Sequence, residues 1–257
     1  MMSIVLPAVA LVAACASAPA EQVTPPPQGP WDYQIGGAYD PPGDVETVSR
    51  DHGADPAPGL YNICYINAFQ AQPGAEDEWG DLILRDTNGE IVYDEDWGEA
   101  VLDTSTPTKR DGIAARVNTW IDECADKGFQ AVEPDNYDSY TRVPGNLLSA
   151  DDNQALIRLL SAHAHARGLA IAQKNTAELA GQRTENGLDF AVVEECGYHD
   201  SECGLYTEAF GNHVVVVEYT QEGLDRACAG WAEELSIVLR DVDVSTPDDD
   251  GYVHGTC

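Results

Sequence analysis

Residues 129–138 read Phe129-Gln130-Ala131-Val132-Glu133-Pro134-Asp135-Asn136-Tyr137-Asp138, a short apolar run that stops in three carboxylates. The same pattern, aliphatic residues closing on a polar or charged one, recurs along the chain. It predicts strands at Trp31 to Gly36, Gly59 to Asn67, Ala100 to Asp103, Phe129 to Glu133, Leu169 to Lys174, Leu188 to Glu194, Val214 to Glu218 and Ile237 to Asp241. Between them, Ile113, Val117, Trp120, Ile121 and Cys124 recur at helical spacing, as do Leu224, Cys228, Trp231 and Leu235. Ser149-x-x-Asp152 has the form of a capping box, and Gly168 stops the helix that follows. Eight strands alternating with helices predict an α/β fold, a single-domain (β/α)8 TIM barrel over residues 31–257. A doubly wound open sheet is disfavoured, because Gly36-Gly37-Ala38 after the first strand lacks G-x-G-x-x-G spacing.

Barrel enzymes build their sites at the C-terminal ends of strands. Here those ends are rich in carboxylates: Glu133, Asp135 and Asp138 at one, Glu194 and Glu195 at another two strands further round. Like charges held close raise at least one pKa, which makes a general acid beside an ionised base or nucleophile. Strands two apart are roughly 9 Å apart at the backbone, and inward-leaning side chains close that to about 5–8 Å. The interval spans both the retaining and the inverting separations of glycosidases. Lys174, Asn175 and Gln34 add hydrogen-bond donors, and Tyr65, Tyr137, Tyr140, Tyr198 and Tyr219 add flat faces, a set that suits a sugar ring. No G-x-S-x-G elbow occurs. Neither a cofactor nor a metal is expected: there is no C-x-x-C, the six histidines are scattered, and Asp248-Asp249-Asp250-Gly251 lacks the spacing of a calcium loop.

The 13 Lys and Arg stand against 45 Asp and Glu, a net charge of −32. That excludes a nucleic-acid partner and an anionic lipid surface, both of which need clustered cations. Only Lys109, Lys127 and Lys174 are lysines. Adaptation to high salt accounts for such a surface, and so does a field that draws in a cationic polymer. At the N-terminus, Ile4 to Ala14 is apolar but too short to span a bilayer, and Val12-Ala13-Ala14-Cys15 has the form of a lipobox. Residues 1–15 are therefore expected as a signal peptide with Cys15 as the lipidated residue, a plain secretory signal being the alternative. Residues 16–30 are expected as a Pro-rich linker. The protein is expected outside the cytoplasm, secreted or lipid-anchored, with that anchor its only membrane contact, and as a monomer. Export leaves six cysteines for disulfides, with fifteen pairings open to them. The favoured set is Cys196–Cys203, Cys228–Cys257 and Cys64–Cys124.

Glu133-Pro134-Asp135-Asn136 with Asp138 and Tyr140 resembles the E-P-D-N-x-D-x-Y signature of glycoside hydrolase family 114, the endo-α-1,4-polygalactosaminidases, which are (β/α)8 barrels. Supporting matches are Trp31-x-x-Gln34, Cys64-Tyr65, Trp97-Gly98-Glu99 with Leu102-Asp103, Lys174-Asn175, Glu194-x-Cys196 with Glu202-Cys203, and Val217-Glu218-Tyr219. The sequence departs at Val193, where relatives carry Asn, and at Cys64-Tyr65-Ile66-Asn67, where the more familiar form is C-Y-F-S. The resemblance implies a retaining enzyme for α-1,4-linked galactosamine polymer, with Asp135 as nucleophile and Glu194 as acid/base. The residues expected to bind substrate are Gln34, Tyr65, Asp103, Glu133, Asn136, Asp138, Tyr140, Lys174, Asn175, Glu195, Glu218 and Tyr219. The alternative is a surface lipoprotein that holds polysaccharide on an inactive barrel. Both Asp135 and Glu194 being intact favours the enzyme, since a binder needs neither.

Overall fold

The computed structural model describes residues 23–199 and 202–257. The signal segment 1–15, Cys15 included, and residues 16–22 of the expected linker lie outside them. Eight parallel strands run in the order β1 (Trp31–Gln34), β2 (Thr47–Asp51), β3 (Tyr61–Asn67), β7 (Ala131–Asp135), β8 (Ala170–Lys174), β9 (Phe190–Glu194), β10 (Val214–Glu218) and β11 (Ser236–Arg240). The sheet curls until β1 lies against β11, where buried Arg240 reaches Asp32 at 3.4 Å. β12 (His254–Thr256) adds an antiparallel edge to β11. This is the TIM-barrel fold expected from the strand–helix rhythm.

Two elements differ from the expected set. β2 reads Thr47-Val48-Ser49-Arg50-Asp51, with one aliphatic residue, so apolar patterning does not reveal it. Ser49 and Arg50 are buried with partners instead: Trp31 Nε1 donates to Ser49 Oγ (3.3 Å), and Arg50 Nε donates to Gln34 Oε1 (2.9 Å). Ala100 to Asp103, expected in the barrel, lies outside it. There β6 (Glu99–Val101) pairs antiparallel with β4 (Gln70–Ala71) and β5 (Tyr93–Asp94) in a side sheet between β3 and β7. That strand is buried on both faces, Ala100 and Leu102 in the main core and Val101 in a small satellite one. Burial on both faces gives the same apolar run whether the strand sits in a barrel or beside it.

Helices follow the later strands. α1 (Glu76–Trp79) belongs to the side-sheet insertion, and α2 (Pro107–Lys127) precedes β7. α3 (Ala150–Ala166), α4 (Arg183–Asn186), α5 (Glu202–Phe210) and α6 (Gln221–Trp231) separate the strands after it. The links from β1 to β2 and from β2 to β3 are loops. The capping box at Ser149 and Asp152 is formed, and Gly168 takes φ +77°, a left-handed stop that glycine adopts without strain. The three expected disulfides tie β3 to α2 (Cys64–Cys124), the loop after β9 to α5 (Cys196–Cys203) and α6 to the C-terminus (Cys228–Cys257).

Residues 23–30, expected as free linker, pack across the bottom of the barrel. Tyr61 Oη donates to Thr24 O (2.6 Å), Gly29 N–H donates to Ser236 Oγ (3.0 Å), and Val23 packs on the inner layer. Proline lacks an N–H group but keeps its carbonyl, and Pro30 O accepts the Glu46 and Thr47 N–H groups at the start of β2.

Strand parity decides what faces the barrel axis. Tyr33, Ile63, Ala131, Ala172, Val192 and Val217 form the inner layer, while Cys64, Val132, Ile171, Val193 and Val216 face the helices. Counting on by twos puts Tyr65, Glu133, Asp135, Lys174 and Glu194 inside. It puts Gln34 and Glu218 outside.

Candidate active site

The inward carboxylates converge on one buried ammonium. Lys174 Nζ lies 3.1 Å from Glu133 Oε1, 3.1 Å from Asp135 Oδ1 and 3.8 Å from Glu194 Oε1. It also donates to Tyr33 Oη (3.1 Å), whose own hydroxyl donates to Glu133 Oε1 (2.7 Å). Tyr65 Oη donates to Asp135 Oδ2 (2.6 Å), and the Asn136 N–H donates to Asp135 Oδ1 (2.7 Å). Glu194 accepts from Tyr219 Oη and from Asn175 Nδ2 (2.8 Å), while Asn175 Oδ1 takes the Glu194 N–H (2.9 Å). Both carboxyls are thus fixed in position by groups that are themselves packed.

Electrostatics separates these acids. Burial works against the charge of Asp135, but the Lys174 ammonium and the Tyr65 hydrogen bond outweigh it and hold its carboxyl below the usual range. Burial also opposes the charge of Lys174. The carboxylates of Asp135, Glu194 and Glu133 overcome that and push it well above the ordinary lysine value. One cation cannot neutralise three acids, and Glu133, the fully buried one, yields. Burial, with the charge of Asp135 added against the counter-pull of Lys174, pushes it up to about 7. Its Oε2 is buried without a hydrogen-bond partner, which a neutral acid tolerates better than a carboxylate.

A pH dependence of stability follows. The folded protein keeps a proton on Glu133 between about pH 4.5 and 7 that the unfolded chain has released. Stability from this group is therefore full below that window and lost as pH rises through it, by about 3 kcal/mol. Urea titrations across pH 4–8 should show this loss in the wild type and a flatter profile in Glu133→Gln. Parallel profiles would remove Glu133 as the cause.

Above this cluster opens a cavity of about 530 Å³. Tyr65, Asp135, Asn136, Asp138, Glu194 and Tyr219 line its floor, together with Asn175. The wall is aromatic and acidic, with Trp79, Trp97, Trp120, Glu78 and Glu99 from the side sheet and α2. Three successive strand ends carry a non-glycine residue in the left-handed region: Asn136 (φ 63°) after β7, Asn175 (φ 49°) after β8 and Glu195 (φ 58°) after β9. Strained backbone of this kind is held in place where it aims functional groups.

Seven of the predicted site residues thus line one cavity, and two lie beneath it. Lys174 and Glu133 are buried under the floor. The other predicted residues sit elsewhere. Gln34, turned outward by parity, donates to Asp32 on its own strand and accepts from Arg50 of β2. Glu218, outward for the same reason, accepts from the Gly197 N–H (2.7 Å) and is wedged against Gly223, where an added Cβ would stand 2.2 Å from its Oε2. Asp103 accepts from Ser105 just before α2 (3.1 Å from the Ser105 N–H), and the Tyr140 hydroxyl donates to Glu178. Glu195 does not line the cavity, and its N–H donates to Val217 O (2.8 Å). Sequence reasoning assigned no role to Tyr33, Asn67, Glu99 or Arg142. Parity on β1 and β3 would have flagged the first two. The other two come from segments outside the barrel strands.

The sequence profile of glycoside-hydrolase family GH114 matches residues 12–257. Among curated proteins none matches this sequence. Similar solved structures include Aspergillus fumigatus Ega3 in complex with galactosamine, with TM-score 0.73 and 22% identity over 92% of this chain and 98% of that one. Another is the glycoside hydrolase domain of PelA from Pseudomonas aeruginosa, with TM-score 0.56 and 16% identity over 89% of this chain and 98% of that one. At such identities these two show a common fold. The profile spans the whole described region, barrel and cavity together, and the chain accordingly belongs to glycoside-hydrolase family GH114 and is a glycoside hydrolase.

Proposed function

We propose that the protein is an exported glycosidase that cleaves α-1,4-linked galactosamine-containing polysaccharide with retention. In this reading Asp135 attacks the anomeric carbon as Glu194 protonates the departing glycosidic oxygen. The C1–O bond breaks and a glycosyl–Asp135 ester forms. Glu194, now a carboxylate, takes a proton from water, which attacks C1 and frees Asp135. The observation that carries it is the shared contact with Lys174. Two oxygens that touch one nitrogen are at most about 7 Å apart, which accommodates the retaining separation of roughly 5–5.5 Å and leaves little room for the inverting one.

The fold supports the polymer as substrate in two ways. Ega3, similar in fold, is described in complex with galactosamine. The cavity itself is rich in carboxylates and aromatic faces, which attract an ammonium-bearing sugar by charge and by cation–π contact. Three disulfides support export to an oxidising compartment. Among the described residues no helix is long and apolar enough to cross a membrane. The partner is the polysaccharide alone, and the protein works as a monomer, held to a membrane only if Cys15 is lipidated.

The test is incubation of the purified protein with defined α-1,4-galactosamine polymers, followed by sizing of the products and NMR of the newly released anomer. Oligosaccharides that first appear in the α-configuration support the proposal. Intact polymer after prolonged incubation would reject the substrate, and an initial β-anomer would reject retention.

A further inference from the structure

Glu99, on the cavity wall, has one oxygen held by hydrogen bonds and the other open. It opens β6 of the side sheet and reaches into the cavity beside Asp135. Both of its hydrogen bonds fall on Oε2, from Asn67 Nδ2 (2.8 Å) and Asn136 Nδ2 (3.4 Å). Oε1 takes none, and it is not among the buried atoms left without a partner, so it faces the open cavity. No basic side chain lies within ion-pair distance of Glu99 among the described residues. The nearby cations are engaged elsewhere: Arg142 with Asp94 (3.1 Å) and Asp138 (2.6 Å), Lys174 with the three acids below.

A half-buried carboxylate with one oxygen clamped and the other open is incomplete. Burial, with the charges of Asp135 and Asp94 added, raises its pKa against the counter-pull of the Asn67 hydrogen bond and the more distant Arg142 charge. Asn136 joins it to the reacting centre: its side chain donates to Glu99 while its backbone N–H donates to Asp135 Oδ1. A cation held on Oε1 would therefore belong to the sugar whose anomeric carbon faces Asp135. In a 2-amino-2-deoxy sugar the amine is one carbon away from that centre.

We infer that Glu99 is the specificity-determining residue for a free amino group, its Oε1 accepting a charge-assisted hydrogen bond from the ammonium of the galactosamine unit beside Asp135. This rests on the proposed substrate class and deepens it. An N-acetylated unit offers no charge to Glu99 and adds bulk where Oε1 waits. The side sheet inserted between β3 and β7 then supplies substrate selection to a barrel that supplies chemistry.

Glu99→Gln keeps the shape of the side chain and an acceptor for Asn67, but presents no charge. Kinetics on de-N-acetylated and fully N-acetylated polymer of matched length should show KM on the de-N-acetylated polymer rising about tenfold or more, with little change on the acetylated one. Glu99→Asp, which keeps the charge, should recover part of the preference. An equal loss on both polymers would mean that Glu99 only holds Asn136 in place, and no change on either would mean that it reads nothing. Both outcomes overturn the inference. A wild type that cuts neither polymer would instead fail the proposed function. Binding of galactosamine oligomers to Asp135→Asn protein, with and without Glu99→Gln, would still decide the role of Glu99. A weakening of tenfold or more supports it, and equal affinity overturns it.

Discussion

Asp135→Asn is expected to lower turnover by on the order of 10⁴-fold or more while leaving folding and substrate binding close to wild type. The substitution keeps the shape of the side chain and removes the nucleophilic charge. Lys174 retains Glu133 at 3.1 Å and Glu194 at 3.8 Å, and Glu133 can ionise more readily once its charged neighbour is gone. The buried ammonium therefore stays paired. Glu194→Gln should lose activity on the polymer by a similar factor, but substrates with good leaving groups should be partly spared, because they need less help from an acid. Glu195→Gln is the control one residue along, outside the cavity, and should stay near wild type. Rates of the three variants on one polymer and one activated glycoside decide the matter. A dead Glu195→Gln beside an active Glu194→Gln would overturn the assignment.

Lys174→Met is the second large effect, and it falls on stability as well as on rate. Lys174 is buried among three acids and lies under the cavity floor, so its role is to hold Asp135 in position and ionised. Removing one member of a buried ion pair costs roughly 3–5 kcal/mol, because a charge is left without a partner. The Asp135 carboxyl, held low mainly by Lys174 against burial, should then rise. The acid limb of the kcat/KM profile would move to higher pH with it. Glu133→Leu combined with Lys174→Met should be more stable than Lys174→Met alone, since it removes the stranded acid. Equal stability of the single and double variants, or an unmoved acid limb, would show that Lys174 does not govern Asp135.

Both predictions concern residues that the sequence exposed, and the way it exposed them sets its reach. Glu133, Asp135 and Glu194 were legible because strand side chains alternate, so an apolar run that closes on an acid fixes which acids share the inner face. The disulfide partners were favoured correctly from export and spacing, although fifteen pairings were open. Parity also explains the residues that went astray. Gln34 and Glu218 sit at strand ends like the others, but one step of register turns them away from the axis.

The sequence alone carried the barrel, its rim of carboxylates and the acids two strands apart: the alternation of strands with helices gives the barrel and the spacing of strands, and the period of two along each strand gives the acids that share its inner face. Tertiary structure alone decided the rest. β2 became a barrel strand because its neighbours supplied partners for Ser49 and Arg50, which no local pattern records. Ala100 to Leu102 left the barrel because antiparallel partners were nearer, although the run is as apolar as a barrel strand. Glu99, Arg142 and the tryptophan wall reach the cavity from segments distant in sequence, and their meeting depends on how an insertion folds over the barrel mouth. Charge pairing is of the same kind. Lys174 pairs across three strands and Glu99 finds no cation among the described residues, and only the folded chain establishes which acid keeps an oxygen free.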